Sequence, residues 1–316
     1  MRIALARRFP GEMARILRAH YSEVREHDRD CPARPEELRS LAAGADVLVV
    51  SVTDVVDEAL LVACPALRLV VTFSVGVDHV DSAALRRRSI PLVHTPDVLT
   101  DATADLAMAL ILACARRLRP GVRFVEEGHF EGFDPGLFLG LALANARLGI
   151  VGLGKIGTAV ARRALGFGMT VTYVSPQEKR PAFPAVRVSL EQCLREADIV
   201  TLHAPLVAEA RGLIGRRELA AMKPRGVLVN TARGPLVDEQ ALLAHLRTHP
   251  EFYAGLDVYE HEPRVDPALA ALPNAICLPH LGSATEAARL GMARICTAAA
   301  IQFSRGEKPE PIYVGG

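Results

Sequence analysis

At 316 residues the chain is too long for one small core and suits two domains of ordinary size. Half of it is apolar, and 37 Lys and Arg against 36 Asp and Glu leave a formal charge of +1. That balance excludes a disordered protein and leaves no basic surface for non-specific nucleic-acid binding.

In chain order, β-branched and apolar runs predict strands at 3–6, 47–52, 69–73, 148–151, 170–174, 199–202, 226–230, 254–257 and 275–278. Several lack alternation, as expected of parallel strands covered on both faces. Helical patterns fall between them at 11–20, 36–42, 155–167, 190–196 and 238–248. Residues 100–117 predict one long helix capped by Thr100 or Asp101, with Leu106, Ala109, Leu110, Ala113 and Cys114 at helical spacing. The Gly-, Phe- and Pro-rich stretch 128–140 predicts a loop, and 283–303 a closing helix. Such alternation predicts an α/β fold of two doubly wound, Rossmann-like parallel sheets with a ligand cleft between them.

The cysteines at 31, 64, 114, 193, 277 and 296 form no C-x-x-C pair and read as reduced thiols of a cytoplasmic protein, with no structural metal site. The N-terminal apolar run is too short for a signal peptide. The longest apolar stretch, 104–115, is too short to span a bilayer. Lysine occurs only at Lys155, Lys179, Lys223 and Lys308, a bias toward arginine that carries no functional reading.

The strand at 148–151 runs into Gly152-Leu153-Gly154-Lys155-Ile156-Gly157, and an alanine-rich helix follows. Gly152 permits the tight turn, Gly154 lets amides approach a pyrophosphate, and Gly157 allows close helix–strand packing. The helix start adds free N–H groups and a positive dipole end. Ser175 stands at the end of the next strand, where an NAD-selective site would place Asp or Glu. With Lys179 and Arg180 beyond it, the pattern favours NADP(H) over NAD(H), although Glu178 opposes a phosphate and the two cations also suit a solvated loop.

Arg233, Glu262 and His280 each follow a strand of this second sheet, at the edge where such sheets bind ligands. Alone, the arginine reads as a salt-bridge partner, the glutamate as a loop carboxylate and the histidine as structural. Together they suit reduction of a 2-keto acid. A guanidinium fork grips carboxylate and keto oxygen, and a carboxylate favours the charged imidazole that delivers a proton.

On these residues, together with Val75-Gly76-Val77-Asp78, the run Thr95 to Leu106, Gly255-Leu256-Asp257-Val258 and Pro279-His280-Leu281-Gly282-Ser283-Ala284, the chain resembles the D-isomer-specific 2-hydroxyacid dehydrogenases. It is most similar to their glyoxylate/hydroxypyruvate reductase branch. The resemblance implies a substrate-binding domain from 1–96 and 285–316 and a dinucleotide-binding domain over 97–284. It implies that amides around Val75 and Gly76 receive the substrate carboxylate and that Asp257 bonds the nicotinamide carboxamide. Thr103, His203, Ala204, Pro205, Thr231, Ala232 and Gly282 are then expected beside the cofactor. A homodimer is likewise implied, with the long helix from Thr100 as a contact.

The chain departs from that branch in lacking tryptophan, in Phe130 where relatives carry tryptophan, and in Asn145-Ala146-Arg147 before the glycine loop. The residues after Pro309 leave no room for a regulatory domain. Alternatives are a 2-ketogluconate-type reductase, an NAD-linked D-2-hydroxyacid dehydrogenase and a dinucleotide-sensing corepressor scaffold. A phosphite dehydrogenase is disfavoured because the aromatic and acidic pattern expected after Glu262 is missing.

Overall fold

The computed structural model describes residues 1–29 and 31–313. The chain divides into two compact units, Met1–Leu99 with Ala284–Gly316, and Thr100–Ser283. Residues 314–316 of the expected 285–316 part of the substrate-binding domain lie outside the described residues.

The first unit runs β1 (Arg2–Leu5), α1 (Met13–Leu17), β2 (Glu23–Glu26), α2 (Pro35–Ala42), β3 (Val47–Val50), α3 (Glu58–Ala63), β4 (Leu69–Thr72), α4 (Ser82–Arg87) and β5 (Leu92–Val93). All pairings are parallel, in the order β2-β1-β3-β4-β5. Ala4, Leu48, Val50 and Val70 pack on one face with Leu38, Leu60, Leu61 and Leu85 from the helices. The sequence reading passes over β2 because it is Glu-Val-Arg-Glu, a solvated edge strand with no apolar run. It passes over α3 and α4 because six residues make too few turns to show a period.

The second unit begins with α5 (Thr100–Ala115) and α6 (Leu118–Glu126). Then come β6 (Arg147–Val151), α7 (Lys155–Gly166), β7 (Thr170–Val174), β8 (Val186–Arg187), α8 (Leu190–Glu196), β9 (Ile199–Leu202) and α9 (Arg216–Ala221). β10 (Val227–Asn230), α10 (Glu239–Thr248), β11 (Tyr253–Leu256), α11 (Pro267–Ala271) and β12 (Ala275–Cys277) complete it. After it, α12 (Glu286–Ser304) returns to the first unit, where the Tyr21 hydroxyl donates to the Ala300 carbonyl at 2.6 Å.

The seven strands of the second sheet lie in the order β12-β11-β10-β9-β6-β7-β8, all parallel. Alternation decides which side each residue serves. Leu148, Ile150, Val227 and Val229 face one core with residues of α5 and α7. Val151, Leu228 and Leu256 face the other, with Leu219, Leu242 and Leu246. This double coverage explains the unbroken apolar runs.

Two details of 100–117 differ from expectation. Thr100 and Asp101 lie inside the first turn of α5 rather than capping it, and Asp101 instead bonds Arg163 of α7 at 3.0 Å. The helical run also breaks at Arg117, which takes a φ of 52°, and a second helix begins. Elsewhere Asp57, Asp81, Ser189, Asp238, Asp266 and Thr285 do cap, each accepting a first-turn N–H. Such caps are worth roughly 1 kcal/mol apiece.

Candidate active site

The carboxyl edge of the seven-stranded sheet collects most of the residues singled out from sequence. In strand order, β12 leads to His280, β11 to Asp257 and Glu262, β10 to Arg233, β9 to His203, β6 to Gly152 and β7 to Ser175. The chain runs outward from β6 in both directions, so the β6/β9 junction is the switch point where such sheets bind ligands.

At that junction two of the three glycines of the loop sit too close to backbone for any side chain. Gly152 has a φ of 97°, and a Cβ there would fall 2.6 Å from the Ala204 nitrogen. A Cβ on Gly157 would meet the Gly152 carbonyl oxygen at 2.2 Å, so only glycine lets α7 approach the turn this closely. Gly154, by contrast, faces nothing within 4 Å. It precedes Lys155, Ile156 and the rest of the first turn of α7, which no side chain caps. An open cradle at an uncapped helix start fits an anionic pyrophosphate.

His203, Ala204 and Pro205 form the facing wall. The His203 N–H donates to the Val151 carbonyl at 2.7 Å, and its Nε2 meets the Thr201 hydroxyl at 2.9 Å. Burial lowers the imidazole pKa to about 4, so the ring is neutral there at physiological pH.

Ser175 follows β7 directly, and Lys179 and Arg180 are exposed beyond it. The loop is not slack. The Tyr173 hydroxyl donates to the Lys179 carbonyl and accepts its N–H, at 2.9 and 3.0 Å. Arg187 of β8 donates to the carbonyls of Ser175 and Pro176 at 3.1 and 2.7 Å. Arg187 is thus a third cation at this corner, which the sequence reading missed because it lies on a two-residue strand without a pattern.

On β10, Asn230 shapes the next turn. Its side chain accepts from the Ala232 N–H at 3.0 Å and donates to the Arg233 carbonyl at 2.8 Å, bracketing Thr231 and Ala232. Arg233 donates to the Ala232 carbonyl at 2.7 Å and is part-buried. A buried polar residue ending an apolar strand was the available signal for Asn230.

Glu262 and His280 meet, Oε2 to Nδ1, at 2.8 Å. A carboxylate only accepts, so Nδ1 carries a proton and donates it. Among the described residues Nε2 makes no hydrogen bond. The other Glu262 oxygen accepts the Tyr259 N–H at 3.0 Å, and the Tyr259 hydroxyl donates to the Leu278 carbonyl at 2.8 Å. Nearby, the buried Glu239 carboxylate accepts the Glu260 N–H, and burial pushes its pKa up. Neither Tyr259 nor Glu239 was legible as a support, because both act through backbone groups.

Asp257 is wholly buried and engaged. Its two oxygens accept the N–H groups of Leu281 and Gly282 at 2.6 and 2.8 Å, and its carbonyl accepts that of His280 at 3.0 Å. Burial raises its carboxyl pKa against these bonds and the nearby His280. Thr103 is buried too, donating to the Gly282 carbonyl at 3.0 Å. Both residues therefore brace the His280 loop.

In the first unit, Val75 and Gly76 sit in the turn after β4 and are part-exposed. Among the described residues no three or more His, Cys, Asp or Glu side chains are grouped to hold a metal. No described helix is long and apolar enough to cross a membrane.

Comparison with known proteins bears on this arrangement. The family model described as D-isomer specific 2-hydroxyacid dehydrogenase, NAD binding domain, matches residues 108–282, more than half of the chain. A glyoxylate reductase of Thermococcus litoralis is 41% identical over 315 residues, covering 98% of this chain and 95% of the relative. The crystal structure of the TT0316 protein from Thermus thermophilus superposes with a TM-score of 0.92 at 42% identity, covering 99% of this chain and 100% of that one. An NADPH-dependent glyoxylate/hydroxypyruvate reductase from Sinorhizobium meliloti, solved with NADP and malonate, gives 0.86 at 29% identity, covering 99% and 96%.

Proposed function

Because the chain belongs to the D-isomer-specific 2-hydroxyacid dehydrogenases, a family of nicotinamide-dependent oxidoreductases, we propose that it reduces glyoxylate, hydroxypyruvate or a similarly short 2-keto acid to the D-2-hydroxy acid. The observation that carries the reading is the 2.8 Å Glu262–His280 pair beside the Arg233 turn, at one end of the edge that holds the glycine loop. When bound, the reduced nicotinamide supplies a hydride to the keto carbon.

His280 then delivers the proton from Nε2 to the forming alkoxide, while Glu262 on Nδ1 stabilises the charged ring. Arg233 binds the keto oxygen and stabilises the charge developing there. The N–H groups of Val75 and Gly76 receive the substrate carboxylate. Gly152, Gly154, Lys155, Ile156 and Gly157 hold the pyrophosphate, with His203, Ala204 and Pro205 opposite. Thr231, Ala232 and Gly282 line the nicotinamide end, and Thr103 and Asp257 hold that end in shape through the loop they brace.

NADP(H) is the preferred cofactor in this reading. Ser175 offers a hydroxyl where a carboxylate would repel a 2′-phosphate. Among the described residues Lys179 and Arg180 form no ion pair, and Arg187 adds a guanidinium to the same corner. The Sinorhizobium meliloti reductase, solved with NADP, supports it.

The test is kcat/KM for glyoxylate with NADPH and with NADH. A higher value with NADPH, reduced by Arg180→Glu, is expected; a higher value with NADH overturns the preference. No reduction of any short 2-keto acid overturns the activity itself.

The protein is placed in the cytoplasm as a homodimer. All six cysteines are free, as a reducing compartment keeps them. The dimer contact falls on α6 rather than on α5, half of whose residues are buried within their own unit. No residue of α6 is buried, and Leu118, Val122 and Val125 form one apolar face, 51%, 55% and 61% exposed. A groove of about 530 Å³ lined by Leu112, Leu141, Leu143 and Phe167 lies in the same unit and is apolar enough to take side chains of a second copy.

A further inference from the structure

The turn after β4 has an unusual hydrogen-bond account. The Ser74 carbonyl accepts the Thr95 N–H at 2.8 Å, the Val75 carbonyl accepts His94 Nδ1 at 3.0 Å, and the Gly76 carbonyl accepts the Ser74 hydroxyl at 2.6 Å. These peptides are trans, so each N–H that follows points opposite to its tied carbonyl. The N–H groups of Val75, Gly76 and Val77 have no partner among the described residues. Three successive unpartnered amides in one turn leave donors available to an anion.

Proton direction along the supporting chain is fixed by its last acceptor. A carbonyl only accepts, so the single Ser74 proton is committed to Gly76. Thr72, 2.7 Å from Ser74, must then donate to it, and His79 Nε2, 2.8 Å from Thr72, must be the donor that begins the relay. Thr72 and Ser74 are buried, so water does not compete. His94 is held by a second device. Its ring meets Tyr313 edge-on at 5.4 Å, and the Tyr313 N–H donates to the Leu92 carbonyl at 2.7 Å, pinning the C-terminal segment beside β5.

We infer that His94 and Ser74, backed by Thr72, His79 and Tyr313, are positioning residues that aim the 75–77 amides at the carboxylate of the substrate. This rests on the reading above that the carboxylate binds this turn. It adds that substrate affinity is set by side chains that never touch the substrate.

The experiment compares wild type, His94→Ala, His94→Asn and Ser74→Ala, with melting curves to establish folding. Loss of one part-buried positioning bond predicts a KM for glyoxylate raised roughly three- to ten-fold in His94→Ala. The kcat at saturation should stay within about two-fold, since uniform binding rather than transition-state stabilisation is lost. The Kd for reduced cofactor should not move. Asparagine places an amide N–H near Nδ1, so His94→Asn should recover most of the affinity, while Ser74→Ala should raise KM through the Gly76 carbonyl. An unchanged KM in both alanine variants, or His94→Asn no better than His94→Ala, overturns the inference. Failure of the underlying reading looks different: the wild type would reduce no 2-keto acid, or His280→Ala would keep its turnover.

Discussion

His280 takes a φ of 56°, a left-handed conformation uncommon outside glycine, although histidine enters it more often than most residues. Its surroundings over-determine it: the Asp257 carbonyl takes its N–H, the Asp257 carboxylate takes the next two, and Glu262 takes Nδ1. Strain held in this way is a mark of functional positions. His280→Ala should lower kcat by about 10²–10⁴-fold, the usual worth of a general acid, while cofactor titration stays unchanged. Glu262→Gln removes the charge that accepts from Nδ1 and stabilises the imidazolium of the proposed reaction. It should lower kcat for keto-acid reduction by about ten-fold or more while the Kd for reduced cofactor is kept; an unchanged kcat rejects the ion-pair account. Asp257→Ala leaves the buried Gly282 N–H and the part-buried Leu281 N–H without their acceptor. It should cost roughly 1–3 kcal/mol of stability, the penalty of the one buried group, and it should lower kcat as the loop loosens.

At the scale of elements, the join of β6 to α7 shows how little tolerance the cradle has. A methyl on Gly157 would sit 2.2 Å from the Gly152 carbonyl, which is backbone and cannot swing aside. Gly157→Ala should raise the Kd for NADPH at least about ten-fold, because the first turn of α7 must move off the strand. Fluorescence titration of the cofactor reads this directly. The elements that sequence made legible, such as β6, β9, β10 and α8, are buried apolar runs or carry a cap at the right place. Those it hid are short or polar: β2 is a solvated edge, and α11 has five residues. The division of 100–117 into α5 and α6 was hidden because Arg117 turns the chain without glycine or proline.

For the whole molecule, α6 gives the sharpest expectation. Val122→Glu places a charge on its exposed apolar face, so sedimentation should show a shift from dimer to monomer; a wild type that sediments as a monomer rejects the proposed contact. Stability should also depend on pH through His203. Its folded pKa is lowered to about 4, against about 6.5 for an unperturbed ring. Between these values the unfolded chain binds the extra proton. The His203 contribution is complete above about 6.5 and lost as pH falls toward 4. Urea midpoints at pH 7 and pH 5 should fall less in His203→Gln than in wild type.

Periodicity and glycine spacing by themselves determined the α/β class and the glycine turn between β6 and α7, and the strand pattern set Arg233, Glu262 and His280 after strands of one sheet. These signals are local: a run of side chains reports its own burial, and a glycine reports the backbone it must permit. Tertiary structure alone decided how those residues are held. Asn230 brackets the Arg233 turn, Asp257 clamps the His280 loop, and His94 and Ser74 take the carbonyls of Val75 and Gly76. Each of these supports joins a side chain to a backbone group, and a backbone group carries no letter in a sequence.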